Sequence, residues 1–191
     1  MNMVNCFVKP NKRPVDWAHI KLLVLDCDGV LTDGRIIYGD NGLDVKHFDA
    51  HDGLALTLLQ HTDLQVAVVT GRTSEALTRR CVDLKIELVF QGVSKKLLCV
   101  EKLLADQGLD WDNLVYMGDD WNDVLCMRRA ALSACPANAL PEIQKISDLV
   151  MEKPGGHGAV RELVNLLMQK KGIFERAVMS YLDSSACEDL K

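Results

Sequence analysis

Six short apolar runs, separated by stretches with helical spacing, limit this chain's fold more than any other feature. They are Leu22–Leu25, Val66–Val69, Leu88–Phe90, Leu114–Met117, Leu132–Ala134 and Leu149–Met151. A strand with one wet face alternates apolar and polar residues, whereas near-continuous apolar runs suit strands covered on both faces. Between the runs, Leu97, Val100 and Leu104 recur at helical spacing, and Gly108 follows where a C-cap glycine is expected. Leu163, Leu166 and Leu167 repeat the pattern after Gly158. Repeated strand–helix units predict an α/β fold, a Rossmann-like three-layer sandwich around a mainly parallel sheet.

The alternation runs from Lys21 to about Lys170, and 191 residues leave room for one domain with appendages. We therefore expect an N-terminal arm over 1–20, a domain over 21–171 and a tail over 172–191. Residues from Ile173 on end in a polar stretch and read as lying outside the core. One segment breaks the rhythm: Gly34–Phe48 carries Asn41-Gly42 between two short β-prone runs, which predicts a hairpin projecting beyond the first core strand.

Charge and composition exclude several functions. With 22 basic and 27 acidic residues, net charge −5, no global field attracts nucleic acid or an anionic membrane. An aromatic content of 5% argues against a base-stacking surface. Residues Met1–Pro14 contain no long apolar run, so neither a secretory signal nor a membrane span is expected. The seven cysteines, Cys6, Cys27, Cys81, Cys99, Cys126, Cys135 and Cys187, include no C-x-x-C pair and mostly sit in apolar segments. They read as buried free thiols in a reducing compartment, most simply the cytoplasm.

The acidic residues are placed more tellingly. Asp26-Cys27-Asp28-Gly29-Val30-Leu31-Thr32-Asp33-Gly34 starts where the first core strand ends, and Gly118-Asp119-Asp120-Trp121-Asn122-Asp123 starts where another ends. In a parallel sheet these ends share one edge, where ligand sites form. Two unit charges 4 Å apart at an effective dielectric of 20 repel by about 4 kcal/mol, so such a cluster needs protons or a cation. A hard divalent ion with oxygen ligands, Mg²⁺ above all, answers that need. Singly, Asp28 and Asp33 could be turn residues, and Asp120 or Asn122 a helix cap. Jointly, acidic loops after two separate strands have no structural reason to match. Thr70-Gly71-Arg72 ends another strand with a hydroxyl and an amide able to donate to a phosphoryl oxygen, with Thr73 or Ser74 as the ordinary cap reading. Lys95 and Lys96 open a helix, where the macrodipole disfavours cations, so an anion is expected to meet one of them.

These segments, in the order DCDGVLT, the TG of VVTGR, a lysine, then GDDWND, resemble the haloacid dehalogenase superfamily of phosphotransferases. More narrowly, DGRIIYGDNGLDVKHFDAHDG, TGR, RRC, QGVSKKL, GDDWND and GGHGAVRE are similar to the 3-deoxy-D-manno-octulosonate 8-phosphate phosphatase family and its sialic-acid-type relatives. The resemblance implies that Asp26 is a nucleophile forming an aspartyl-phosphate, and that Asp28 protonates the departing sugar oxygen and later helps activate water. It implies Mg²⁺ on Asp26, the Asp28 main-chain carbonyl and Asp119, supported by Asp123. Thr70 and Lys96 would hold the phosphoryl group, Lys96 being the lysine directly before the leucine of QG-x-x-x-KL. Sugar contacts would fall on Asp28, Asp49, Ala50, His51, Asp52, Gly53, Gly71, Arg72, Arg80 and Lys96. The sequence departs from the family at His51 and Thr57, where arginine is frequent.

The spacing from Asp28 to Thr70 accommodates a hairpin and one helix but no lid domain. A phosphatase without a lid leaves its site wet unless something else covers it. Related enzymes tetramerise, which implies a homotetramer here, with Gly34–Phe48 as an intersubunit wall and Gly155-Gly156-His157-Gly158 as a flexible contact near the crevice. The expected substrate is a small phosphorylated sugar acid, 3-deoxy-D-manno-octulosonate 8-phosphate. Alternatives are a nonulosonate 9-phosphate, a phosphorylation-dependent receiver and a catalytically silent oligomerisation module. In a receiver the acidic pair precedes the phosphorylated Asp, whereas here D-x-D comes first.

Overall fold

The structure, a computed structural model, describes residues 14–40 and 44–188. Strand β1 (Leu22–Leu25) is buried along its whole length. Strands β4 (Gln65–Val69) and β6 (Leu114–Met117) pair with it in parallel, one on each side, with Leu25 level with Val68 and Met117. Beyond β4 lies β5 (Leu88–Phe90), and beyond β6 lie β7 (Leu132–Cys135) and β8 (Leu149–Val150). The order is β5-β4-β1-β6-β7-β8, every neighbour parallel. All six expected strands form, with β4 and β7 each one residue longer than expected and β8 one residue shorter.

Side-chain alternation divides the core between the two faces. Leu23, Leu25, Val68, Val115 and Met117 pack toward α1 (Ala50–Leu59), α2 (Glu75–Asp83), α6 (Ala159–Lys170) and α7 (Phe174–Glu188). Leu22, Val24, Ala67, Val69, Leu114 and Tyr116 pack toward α3 (Lys96–Asp106), α4 (Val124–Arg129) and α5 (Pro141–Ile146). This is the expected three-layer sandwich. After α3, Gly108 takes φ +65° and Leu109 N donates to Leu104 O at 2.8 Å, closing the helix as its sequence position implied.

The hairpin also forms: β2 (Ile37–Tyr38) pairs antiparallel with β3 (Asp44–Val45). Its Asn41-Gly42 turn lies outside the described residues. The chain ends depart from expectation. Residues from Ile173 on are not an outlying arm at their start, because Ile173 and Ala177 are buried and Phe174, Val178 and Tyr181 pack on the same cluster. These five positions form a helical stripe that the polar end of the segment obscures. Ile20 is likewise fully buried, with Val15 and Trp17 against the core.

Cys27, Cys81, Cys126 and Cys135 are buried free thiols, and burial pushes each thiol up, keeping it protonated. Cys6 and the Cys187 side chain lie outside the described residues. Among the described residues, no helix is long and apolar enough to cross a membrane.

Candidate active site

Because β1 and β6 are adjacent and in register, the loops leaving them start side by side. Asp26 N donates to Met117 O at 3.0 Å, so the first carboxylate is fixed where the sheet ends. The β1 loop then winds around Cys27 O, which accepts from the amides of Val30, Leu31 and Thr32. Gly29 has φ +89°, and a Cβ there would stand 2.0 Å from Asp119 Oδ2, so only glycine lets the two acidic loops meet. Asp33 is the turn residue it could be read as, accepting from Arg35 N at 3.1 Å. Asp120 caps the short Trp121–Asp123 turn, so the ordinary role and the site coexist in one loop.

Asp26, Asp119 and Asp123 each bring an oxygen within 4.8 Å of the others. Asp26 Oδ1 accepts from Cys27 N at 2.7 Å and lies 2.9 Å from Lys96 Nζ. Lys96, itself buried, bridges to Asp123 Oδ1 at 2.8 Å. The fully buried Asp123 is held further by the Tyr116 hydroxyl, which donates at 2.7 Å, and by Asp119 N at 3.3 Å. Lys96 therefore does meet anions at its helix start, but they are carboxylates of the site itself.

Lys96 pairs with Asp26 and Asp123, and Asp119 adds a third negative charge beside them. Burial, then the Asp123 charge, pushes Asp26 up to about 7 against the pull of Lys96. Burial, then Asp26, Asp123 and Asp120, pushes Asp119 up to about 8, again opposed by Lys96. For Lys96, burial works against its charge, but Asp123 and Asp26 outweigh it and the net shift is upward. Asp119 Oδ1 is buried with no hydrogen-bond partner among the described residues. An orphaned carboxylate oxygen beside a repelled neighbour is what a hard cation's donor set looks like without the cation, so these residues fit Mg²⁺.

Asp26, Asp28, Thr70, Gly71, Arg72, Asp119, Asp120 and Asn122 line a cleft of about 140 Å³. Thr70 is buried at the end of β4, and Ser74 caps α2 as the ordinary reading of that turn required. The other expected sugar contacts do not line this cleft. Asp49 caps α1, accepting from His51 N at 2.6 Å and Asp52 N at 3.2 Å, while Ala50 and His51 are exposed. Asp52 is turned away and buried: Oδ1 accepts from Arg161 N at 2.7 Å and Oδ2 from Gly158 N at 3.3 Å. It caps α6, where a carboxylate meets the free amides and positive end of the helix. A Cβ on Gly53 would fall 2.0 Å from Arg80 Nη2, which donates to Asp49 O at 3.1 Å. Asp49–Gly53 and Arg80 thus form one packed junction between α1 and α2. Thr57 bonds back to Gly53 O at 3.2 Å within α1.

Gly155-Gly156, expected as a flexible contact near the crevice, packs directly against the β1 loop of its own chain. Gly156 N donates to Val30 O at 3.0 Å, and Cβ atoms at Gly155 and Gly156 would strike the Gly29–Asp33 backbone at 1.8 and 2.5 Å. Sequence reasoning missed Tyr116, whose only signal was an aromatic hydroxyl in an otherwise apolar strand, and Lys46, whose ammonium pairs with Asp28 Oδ1. It treated Asn122, which lines the cleft, only as a helix cap.

A parallel sheet whose first strand ends in Asp-x-Asp, answered by a lysine and a second acidic loop, defines a haloacid dehalogenase-like hydrolase. The profile of that family matches residues 82–163. The chain is 38% identical over 159 residues to 3-deoxy-D-manno-octulosonate 8-phosphate phosphatase KdsC of Escherichia coli K12, covering 83% of this chain and 85% of that one. It superposes on the Moraxella catarrhalis 3-deoxy-D-manno-octulosonate 8-phosphate phosphatase, solved with magnesium, phosphate and KDO, with TM-score 0.83 and 34% identity, covering 86% and 95% of the two chains. For the cobalt-bound Haemophilus influenzae enzyme the TM-score is 0.79 and identity 36%, covering 83% and 92%. The chain belongs to the family of 3-deoxy-D-manno-octulosonate 8-phosphate phosphatases.

Proposed function

We propose that this chain is a Mg²⁺-dependent phosphatase that hydrolyses 3-deoxy-D-manno-octulosonate 8-phosphate through an aspartyl-phosphate on Asp26. The observation that carries the reading is the trio of buried Asp26, half-buried Asp119 and buried Asp123 beside Lys96, with Asp119 Oδ1 left without a partner among the described residues. The substrate in the relatives' names supports the choice of sugar acid.

Asp26, the Asp28 main-chain carbonyl and Asp119 would hold the metal, with Asp123 fixing Lys96 and the Asp119 amide behind them. When bound, magnesium supplies positive charge to the phosphoryl oxygens and keeps Asp26 ionised. Both donors on Asp26 fall on Oδ1, so Oδ2 is the oxygen that attacks phosphorus. As the Asp26–phosphorus bond forms, the bond to the sugar oxygen breaks, and Asp28 gives that oxygen a proton. Asp28 then takes a proton from water, whose oxygen displaces Asp26 and releases inorganic phosphate. Thr70 and Lys96 stabilise charge on the phosphoryl oxygens in both steps.

The exposed Ile36, Ile37 and Tyr38 support the reading of Gly34–Phe48 as a wall between subunits of a cytoplasmic homotetramer. Our reading assigns the catalytic unit to 21–171, with Ile20, Ile173 and Ala177 of the flanking segments packed into its core. Phosphate release measured over a panel of phosphorylated sugar acids, with Mg²⁺ and with chelator, tests the function. Preference for 3-deoxy-D-manno-octulosonate 8-phosphate is expected. Preference for phosphorylated amino acids or nucleotides would overturn the substrate, and a fully active monomer in light scattering would overturn the assembly.

A further inference from the structure

Two side chains of the hairpin segment contact residues that line the cleft of the same chain. Lys46, just after β3, places Nζ on Asp28 Oδ1, and its side chain is only 3% exposed. On β2, the Tyr38 hydroxyl accepts from Arg72 Nη2 at 3.0 Å, with the guanidinium 5.8 Å above its ring. Arg72 Nε stands 3.7 Å from Asp28 Oδ2, too far for a hydrogen bond, and has no hydrogen-bond partner among the described residues. The two oxygens of Asp28 are therefore unlike: Oδ1 is fixed from the hairpin, and Oδ2 remains on the cleft side.

A lysine is almost never this buried unless it is paired, and an exposed pair would hold no fixed geometry. We propose that Lys46 is a positioning residue for Asp28. By occupying Oδ1, its ammonium leaves Oδ2 as the oxygen that passes a proton to the departing sugar oxygen and later takes one from water. The inference rests on the roles given to Asp26 and Asp28 above, and gives the hairpin a chemical task within its own subunit.

The test compares two substrates on the magnesium-loaded protein. An alkyl leaving group, as in the sugar acid phosphate, needs a proton as it departs, whereas the p-nitrophenolate of p-nitrophenyl phosphate does not. Lys46→Met keeps the stem and removes the charge. It should lower kcat/KM on the sugar acid phosphate, which covers the steps up to departure of the sugar and not the later attack of water, by about 100-fold, the lower end of general acid–base contributions. On p-nitrophenyl phosphate kcat/KM should fall less than about 3-fold, and Lys46→Arg should restore most of the kcat/KM on the sugar acid phosphate. Equal losses of kcat/KM on both substrates would show that Lys46 only supports the fold near the site, and no loss on either would remove it from the reaction; both overturn the proposal. Asp28→Asn, measured alongside, separates the two levels. If its losses are equal on both substrates, the role of Asp28 fails and the Lys46 proposal with it. If Asp28→Asn is selective and Lys46→Met is not, the Lys46 proposal alone fails.

Discussion

Asp119→Asn should make the metal-free protein more stable at neutral and alkaline pH, although it removes a carboxylate from the group that could hold the metal. Burial and the charges of Asp26, Asp123 and Asp120 push the Asp119 carboxyl from 3.8 up to about 8. The group is raised in the folded state, so the protonated form is favoured there. Its contribution to stability is complete below about pH 4 and is lost as pH climbs toward 8. At one pKa unit per 1.36 kcal/mol, wild type has given up about 4 kcal/mol by pH 7, an upper bound because water in the open cleft screens the charge. Asp26, up to about 7 partly from the same cluster of charges, relaxes when Asp119 is neutralised, so the two effects overlap rather than add. For a chain of this size the difference amounts to roughly 8–16 °C in Tm at most. Thermal melts of both proteins in chelator should coincide near pH 4 and diverge steadily toward pH 8, with the variant melting higher. Saturating Mg²⁺ should reverse the order, because only wild type gains binding energy. If the gap in chelator is the same at both ends of the pH range, or the variant melts lower at pH 8, Asp119 is not the repelled carboxylate described here.

Asp26→Asn should retain the wild-type fold by circular dichroism and abolish turnover, since an amide is not an attacking anion; near-normal kcat would remove Asp26 from its role. Lys96→Ala deletes the ammonium shared by Asp26 and Asp123, and kcat/KM should fall at least about 100-fold, roughly 3 kcal/mol of transition-state stabilisation. Asp52→Ala should lower stability by about 1–2 kcal/mol through loss of the α6 cap; a raised KM with an unchanged melt would instead return Asp52 to the sugar. Gly156→Ala adds a Cβ 2.5 Å from the catalytic-loop backbone at φ +66°, so it should lower both Tm and kcat, and unchanged values for both would show that the loop does not need this support.

What the sequence made legible was whatever depends on position along the chain. Buried parallel strands are apolar throughout, so their runs announced β1 and β4 through β8 within a residue, and register then obliged the loops at Asp26 and Asp119 to meet. Lys96 was legible for the same reason, as a cation in an electrostatically poor place at a helix start. Side-chain direction was not legible. Asp52 and Asp28 both lie in loops or first turns near the same edge, and only packing decides that one caps α6 while the other faces the cleft. Gly155 and Gly156 read as part of a flexible contact because glycine serves flexibility and close approach equally well; the β1-loop backbone against them shows the close approach. Lys46 could not be found by spacing, because its reach to Asp28 depends on how the hairpin sits against the loop after β1. Where a superfamily motif is read from one strand end, its side-chain partners therefore include residues that no spacing marks, here a lysine after a two-stranded hairpin and a strand tyrosine.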